Sequence, residues 1–186
     1  MFHVLNLQTL SWSDWRKAHF PKYDDFASHF IHRIGVLYVF GGFKNGSKSN
    51  ELMAIDVNCK SNRVLSEDCG DPEKDNIRPR RRVGTRMVCR EDASAMQLYL
   101  FGGLDTENAT LNDMWMYDLT DNQWTQIEQK GNIPRPRSSH SFNLYEGRIY
   151  MFGGLLEVTK ESSELFSFDI ETSTWTLLKS KEMDQS

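Results

Sequence analysis

Cysteine is scarce here: three residues in 186, an odd number and too few to staple a fold. Cys59, Cys69 and Cys89 also lack the paired spacing of a metal site. They read as reduced thiols of an intracellular chain, and the expected compartment is cytoplasmic. No apolar run approaches the length of a membrane span. Met1 to Asn6 has neither the basic start nor the apolar stretch of a signal peptide. Two glycosylation acceptor patterns, Asn45-Gly46-Ser47 and Asn108-Ala109-Thr110, keep secretion as the alternative. Charge of one sign does not accumulate either. Lys and Arg total 22 against 26 Asp and Glu, so the net charge of −4 gives no drive toward nucleic acid or a membrane. Apolar residues at 39% and charged residues at 26% do not favour disorder.

Catalytic signatures are missing as well. There is no His-Glu-x-x-His, no Gly-x-Ser-x-Gly and no phosphate loop. His29 and His140 are read as occupying one recurring position, which fits a structural hydrogen bond better than metal binding. Tyr38, Tyr99 and Tyr150 fall inside apolar runs and are read as core. The expectation is no catalytic residue, no metal and no cofactor.

What the chain does have is repetition. LYVFGG at Leu37 to Gly42 returns as LYLFGG at Leu98 to Gly103 and as IYMFGG at Ile149 to Gly154. Other anchors stay in phase. Trp124 and Trp175 stand equally far beyond Gly102 and Gly153, and six residues beyond Asp118 and Asp169. Trp12 stands six beyond Asn6. The copy containing Asp56 departs, with Asn62 where tryptophan is due and about eleven extra residues before the next apolar run.

Leu98 to Phe101 lacks polar alternation and suits a short strand covered on both faces. The glycine pair ends that strand where φ turns positive or another backbone comes close. Met114 to Asp118 reads as a further strand, closed by a turn in which the Asp118 side chain accepts from its own backbone. Asp169 holds the same place, and Trp124 and Trp175 begin the last strand of each unit. Ser139 to Leu144 supplies a preceding strand, so each unit is four short antiparallel strands in about 50 residues.

Taken together, Arg137, His140, Gly153-Gly154, Phe168-Asp169 and Trp175 resemble a kelch repeat, with the Gly-Pro-Arg linker of its long form at Gly131 to Arg137. The resemblance implies an all-β fold, a β-propeller whose blades surround a channel. Within residues 1–178 it implies three complete four-stranded blades, 27–66, 80–127 and 137–178, plus half a blade at 2–13, with a tail at 179–186. The ring is then incomplete. Gly84 is read as standing at the histidine position of the middle blade, and His29 as occupying that position in the first. An incomplete ring leaves three readings: a fragment or incomplete gene model, assembly with another chain, or an open arc. Self-association through open blade edges is expected of the chain expressed on its own.

The insert is acidic from Glu67 to Asp75 and basic from Arg78 to Arg82. It reads as a self-compensating solvated loop, with peptide docking next and nucleic-acid binding last. The resemblance implies that loops after the glycine pairs and between blades form one binding face. Carried over by position, these are Phe43 to Asn50, Leu104 to Thr110 and Leu155 to Ser162, with Arg80, Arg81, Arg135 and Arg137 in the linkers. Lys44, Asn45 and Asp105 join those arginines as candidate contact residues. Arg137, also part of the repeat pattern, is a candidate structural residue. The expected function is a protein–protein interaction module that holds a partner protein or an acidic peptide. The alternative is a piece of a kelch-fold enzyme acting on carbohydrate, like galactose oxidase or a sugar epimerase.

Overall fold

The glycine pairs set the frame. In the computed structural model, all six of their residues lie at positive φ. The structure describes residues 3–6, 8–14, 23–24, 27–31, 34–69, 77–92, 95–157 and 159–179. A Cβ on Gly102 would come within 2.5 Å of the Arg137 carbonyl oxygen, and one on Gly103 within 2.8 Å of the Val83 carbonyl oxygen. Two backbones thus pass where any side chain would sit.

The described strands are organised around three larger antiparallel sheets. The first joins β4 (Ala27–Ile31), β5 (Val36–Phe40), β8 (Leu52–Asp56) and β9 (Ser61–Ser66) in that order. The second joins β10 (Arg86–Glu91), β11 (Met96–Leu104), β12 (Thr110–Asp118) and β13 (Gln123–Gln126). The third joins β15 (Ser141–Tyr145), β16 (Arg148–Phe152), β19 (Leu165–Asp169) and β20 (Thr174–Lys179). A separate hairpin pairs β1 (His3–Asn6) with β2 (Ser11–Asp14). Small strands fill the connections: β3 (Tyr23–Asp24), β6 (Phe43–Lys44), β7 (Ser47–Lys48), β17 (Leu155–Glu157) and β18 (Lys160–Glu161). Among the described residues no helix is long and apolar enough to cross a membrane.

Local chemistry accounts for the strand ends. Asp118 Oδ1 accepts from the Thr120 backbone N–H at 2.7 Å, and Asp169 Oδ1 from that of Thr172 at 3.0 Å. Asp56 Oδ1 accepts from the Asn58 N–H at 2.8 Å. These are the side-chain-closed turns that the sequence predicts. Strand β5 stops at Phe40 and β16 at Phe152, each just before its glycine pair. Strand β11 instead runs through Gly102 and Gly103, with a bulge between Phe101 and Gly103. The linker strand β14 (Lys130–Gly131) was not foreseen: it adds to β20 in parallel, making a fifth strand of the third sheet.

The register corrects one reading. Ala27, Arg86 and Ser141 are equivalent, because each opposes the phenylalanine before a glycine pair. His140 therefore matches Thr85, not Gly84, and His29, opposite Tyr38, matches Asn143. Gly84 matches Ser139 instead; both sit at positive φ, 62° and 54°. Glycine is there because the backbone is left-handed, not because a histidine was lost.

Two apolar clusters join the sheets. Phe40, Leu52, Leu98, Leu100, Trp115 and Tyr117 form one, and Phe101, Ile149, Met151, Phe168 and Trp175 are in the other. The tryptophans cross between sheets: the Trp124 ring lies 5.3 Å from Phe40 and the Trp175 ring 5.2 Å from Phe101, both edge-on. Trp175 is 1% exposed and its Nε1 donates to Gln129 Oε1 at 2.7 Å. Trp124 is half-buried, and its Nε1 has no partner among the described residues. Tyr38 and Tyr99 are buried as expected, and Tyr150 is half-buried. Replacing Trp175 by alanine is expected to cost about 3–5 kcal/mol in denaturant unfolding, and replacing Trp124 distinctly less. Equal losses would contradict the difference in packing.

Candidate partner-binding face

One residue type at one repeat position builds the base of this face. Arg82 and Arg137 are fully buried, although each carries a full charge. The Arg82 Nη1 and Nη2 atoms donate to the two carboxylate oxygens of Asp113 at 2.6 and 2.7 Å. Nη1 also donates to the Gly102 carbonyl at 3.0 Å, and Nε to the Arg80 carbonyl at 3.0 Å. Arg137 repeats the pattern on Glu164 at 2.8 Å, Gly153 at 2.9 Å and Arg135 at 3.0 Å. Every guanidinium nitrogen finds an acceptor, which is what makes burial of the charge tolerable. Burial pushes the Asp113 and Glu164 carboxyls up, but the arginine facing each reverses this and holds both below the ordinary range.

The backbone of the same arginines bonds to the preceding sheet. The Arg82 N–H donates to Ser49 O at 3.0 Å, and its carbonyl accepts from the Gly42 N–H at 3.0 Å. The Arg137 N–H donates to Leu111 O at 2.9 Å, and its carbonyl accepts from the Gly103 N–H at 2.9 Å. Arg137 thus belongs to the frame and not to an exposed rim.

The first sheet solves the problem differently. Tyr23 stands at the arginine position, four residues before Ala27. The matching carboxylate, buried Glu51, pairs instead with Lys44 Nζ at 2.6 Å. Sequence reasoning missed these carboxylates. A signal was available: Glu51, Asp113 and Glu164 each lie five residues before a turn aspartate.

Above this base the loops are tied in series. Lys48 Nζ donates to the Asp105 carbonyl and, at 2.7 Å, to Asn108 Oδ1. The Thr110 hydroxyl donates to the Leu156 carbonyl at 3.3 Å. Buried Asp105 shapes its own loop, its Oδ1 accepting from the Glu107 and Ala109 N–H groups, both at 2.9 Å. Asn45 is exposed at the tip of the first loop, at φ 54°. Arg80 and Arg135 are equivalent, each two residues before a buried arginine, and their side chains are 56% and 57% exposed. They lie 3.9 Å from Asp105 and 3.4 Å from Glu164. Arg81 pairs with Asp68 of the insert at 2.9 Å. Among the described residues no group of three or more His, Cys, Asp or Glu is placed to hold a metal.

His140 departs from expectation. It is buried against Phe101 and Phe142, and neither ring nitrogen has a hydrogen-bond partner among the described residues. No described residue supplies the expected structural hydrogen bond. Burial, with Arg86 and Arg137 nearby, pushes its pKa down to about 3.

Two predictions follow from this geometry. Below pH 6.5 the unfolded chain takes a proton on His140 that the folded chain refuses until about pH 3. The contribution of His140 to stability is therefore complete above pH 6.5 and is lost progressively as pH drops through that window. Urea unfolding of His140→Asn should show a shallower slope there than the parent chain; an unchanged slope would contradict the burial argument. Arg137→Ala should cost about 3–5 kcal/mol, because it empties a buried site, unpairs the Gly153 carbonyl and leaves Glu164 with only Ser162 and the longer Arg135 contact. Arg137→Lys should recover only part of that, since an ammonium cannot reproduce the fork.

Comparison with known proteins agrees with this architecture. Residues 65–186 match the family model of the KLHDC2/KLHL20/DRC7 Kelch-repeats domain. The chain is similar to Tip elongation aberrant protein 3 of Schizosaccharomyces pombe, 33% identical over 123 residues, which are 63% of this chain and 10% of that protein. It is similar to human Host cell factor 2, 31% identical over 142 residues, 72% of this chain and 18% of that protein. It is also similar to N-(sulfonatooxy)prop-2-enimidothioate sulfolyase of Thlaspi arvense, 33% identical over 135 residues, 69% of this chain and 35% of the enzyme. The chain spans between a tenth and about a third of the length of these relatives. With a family match over more than half its length, three in-phase glycine pairs and a buried arginine before two of them, the chain belongs to the kelch-repeat family.

Proposed function

We propose that the three larger sheets are blades of a kelch propeller and that their joined loops hold a protein partner through an acidic segment. The supporting observation is the pair Arg80 and Arg135. Each linker sends its inner arginine into the frame and leaves its outer arginine more than half exposed beside one acidic side chain. An incoming carboxylate competes with Asp105 or Glu164 for a guanidinium whose existing contacts are long. Asn45 and Arg81 flank this rim as further contacts. Lys44, Asp105 and Arg137 support it from within, through Glu51, the 105–109 loop and Glu164 respectively. A net negative chain with localised arginines selects a short acidic peptide over the broad phosphate backbone of nucleic acid.

The test is Arg80→Glu with Arg135→Glu. Affinity for a captured partner, or for an acidic peptide from it, should fall at least about tenfold at low salt. The melting temperature should move little, because exposed ion pairs contribute about 0–1 kcal/mol. Unchanged binding would remove the arginines from the interface and leave the uncharged loop residues. The second reading is an enzyme, favoured by the similarity to the Thlaspi arvense sulfolyase. Turnover of that enzyme's named substrate by the purified chain would support it.

A further inference from the structure

The outer edge of the third sheet is dressed by its own linker. Strand β14 lies along β20 in parallel: the Lys130 N–H donates to the Ser173 carbonyl and the Asn132 N–H to the Trp175 carbonyl, both at 2.9 Å. The residue before them, Gln129, accepts from Trp175 Nε1 at 2.7 Å through its Oε1. A Cβ on Gly131 would run into the Trp175 carbonyl oxygen, so the backbone closes on β20 only because that residue is glycine. Asn132 Oδ1 accepts from the Leu177 N–H at 3.4 Å. The segment that fits this edge therefore reads Gln-x-Gly-Asn.

The second sheet presents the same edge. Trp124 opposes Tyr117 as Trp175 opposes Phe168, and the residues two before the tryptophans, Asn122 and Ser173, both sit at φ 55°. Among the described residues no backbone N–H from outside the sheet reaches the Asn122 or Trp124 carbonyl, and the buried Trp124 Nε1 atom has no acceptor. The linker leaving β9 is turned elsewhere. Asp68 Oδ1 accepts from Arg81 Nε at 2.9 Å, and the Cys69 N–H donates to Oδ1 of buried Asn50 at 2.9 Å. Between that linker and β13 lies a cavity of about 840 Å³, whose walls include Leu65, Glu67, Arg78, Gln123, Trp124 and Thr125. Its size is that of a ligand site. Arg78 Nε, in the same walls, is a second buried donor without an acceptor. Two orphaned donors in one cavity carry a desolvation cost that a bound acceptor removes. The second sheet has a neighbour on each side, so this edge is interior to the array.

We propose that this cavity takes an extended segment of a partner protein, which adds to β13 in parallel as β14 adds to β20. The recognised pattern is the one the chain itself uses, Gln-x-Gly-Asn. The glutamine side-chain carbonyl accepts from Trp124 Nε1, the glycine lets the backbone close on the Trp124 carbonyl, and the asparagine side chain accepts from the Gln126 N–H. A backbone carbonyl of the segment accepts from Arg78 Nε. Glu67 in the wall selects glutamine over glutamate as the indole's acceptor, because a second carboxylate would meet like charge. The site uses neither Arg80 nor Arg135, so it stands or falls independently of the loop-face reading.

Nuclear magnetic resonance of the isotope-labelled 186-residue chain tests this. The probe is the end-blocked peptide Glu-Gln-Lys-Gly-Asn-Ile, the sequence of residues 128–133. The Trp124 indole N–H signal is identified by its loss in Trp124→Phe or, should that variant not fold, by sequential assignment. Titration should move this signal saturably, with an affinity in about the millimolar range for so short a segment. The Trp175 indole signal should stay in place, since β14 already occupies its edge. Peptides carrying Gln129→Leu or Gly131→Ala should bind at least about tenfold more weakly, and these changes leave the fold of the chain untouched. An unmoved Trp124 signal, or altered peptides that bind like the parent peptide, would overturn the proposal. So would a shift that acetate reproduces, which would make the cavity an anion site. A Trp124 signal that moves with the chain's own concentration would place a second copy there instead, and would overturn it equally.

Discussion

A charged side chain placed where water cannot reach it organises this molecule. The backbone of Arg137 is hydrogen-bonded to the second sheet and its guanidinium to the third. One residue therefore fixes both the distance and the angle between two sheets. Nothing about the arrangement is adjustable, because the fork must meet two carbonyls and a carboxylate at once. The glycine pair is the other half of the same device. Only residues without Cβ let the arginine backbone come within hydrogen-bonding distance of the strand end. Arginine and glycine pair thus depend on each other across sheets, and the Trp–Phe contact packs the apolar space behind them.

This dependence explains which parts of the structure were legible in the sequence. The apolar runs, the glycine pairs, the turn aspartates and the tryptophans are local signals, and each appears where its spacing placed it. Partnerships between sheets were not legible. By its linker position Arg137 reads as a rim candidate as well as a structural one, and only the folded chain decides, because the acceptors that bury it come from residues 16 and 27 positions away. The histidine register failed for a similar reason. His29 and His140 look alike in one dimension, and only the pairing of Ala27 with Phe40 and Ser141 with Phe152 separates them. The role of Lys44 could not be guessed before Glu51 was recognised as the orphaned carboxylate of a sheet without its arginine.

The rim illustrates how one linker divides its labour. In both Arg80/Arg82 and Arg135/Arg137, the inner arginine is spent on architecture, and the outer arginine rides on it through a backbone carbonyl. The outer side chain is therefore held at a fixed height above the frame, although its own contacts are loose. Cations pre-positioned in this way would lose little freedom to an incoming carboxylate, as the proposed partner-binding role requires.

The linker strand β14 has a consequence for how the chain can be divided. Lys130 and Gly131 follow the second unit in sequence, yet they pair with Thr174 and Trp175 of the third, the Lys130 N–H donating to Ser173 O and the Asn132 N–H to Trp175 O, both at 2.9 Å. Gln129, beside them, closes the Trp175 indole. The piece that repeats in the amino-acid sequence and the piece that pairs into one sheet are consequently out of step by several residues. A cut placed where the sequence repeat begins would strip the outer edge from the unit that follows. Genetic modules drawn on the sequence period are offset from the paired sheets, so recombination between copies would keep each sheet whole only when its breakpoints respect that stagger.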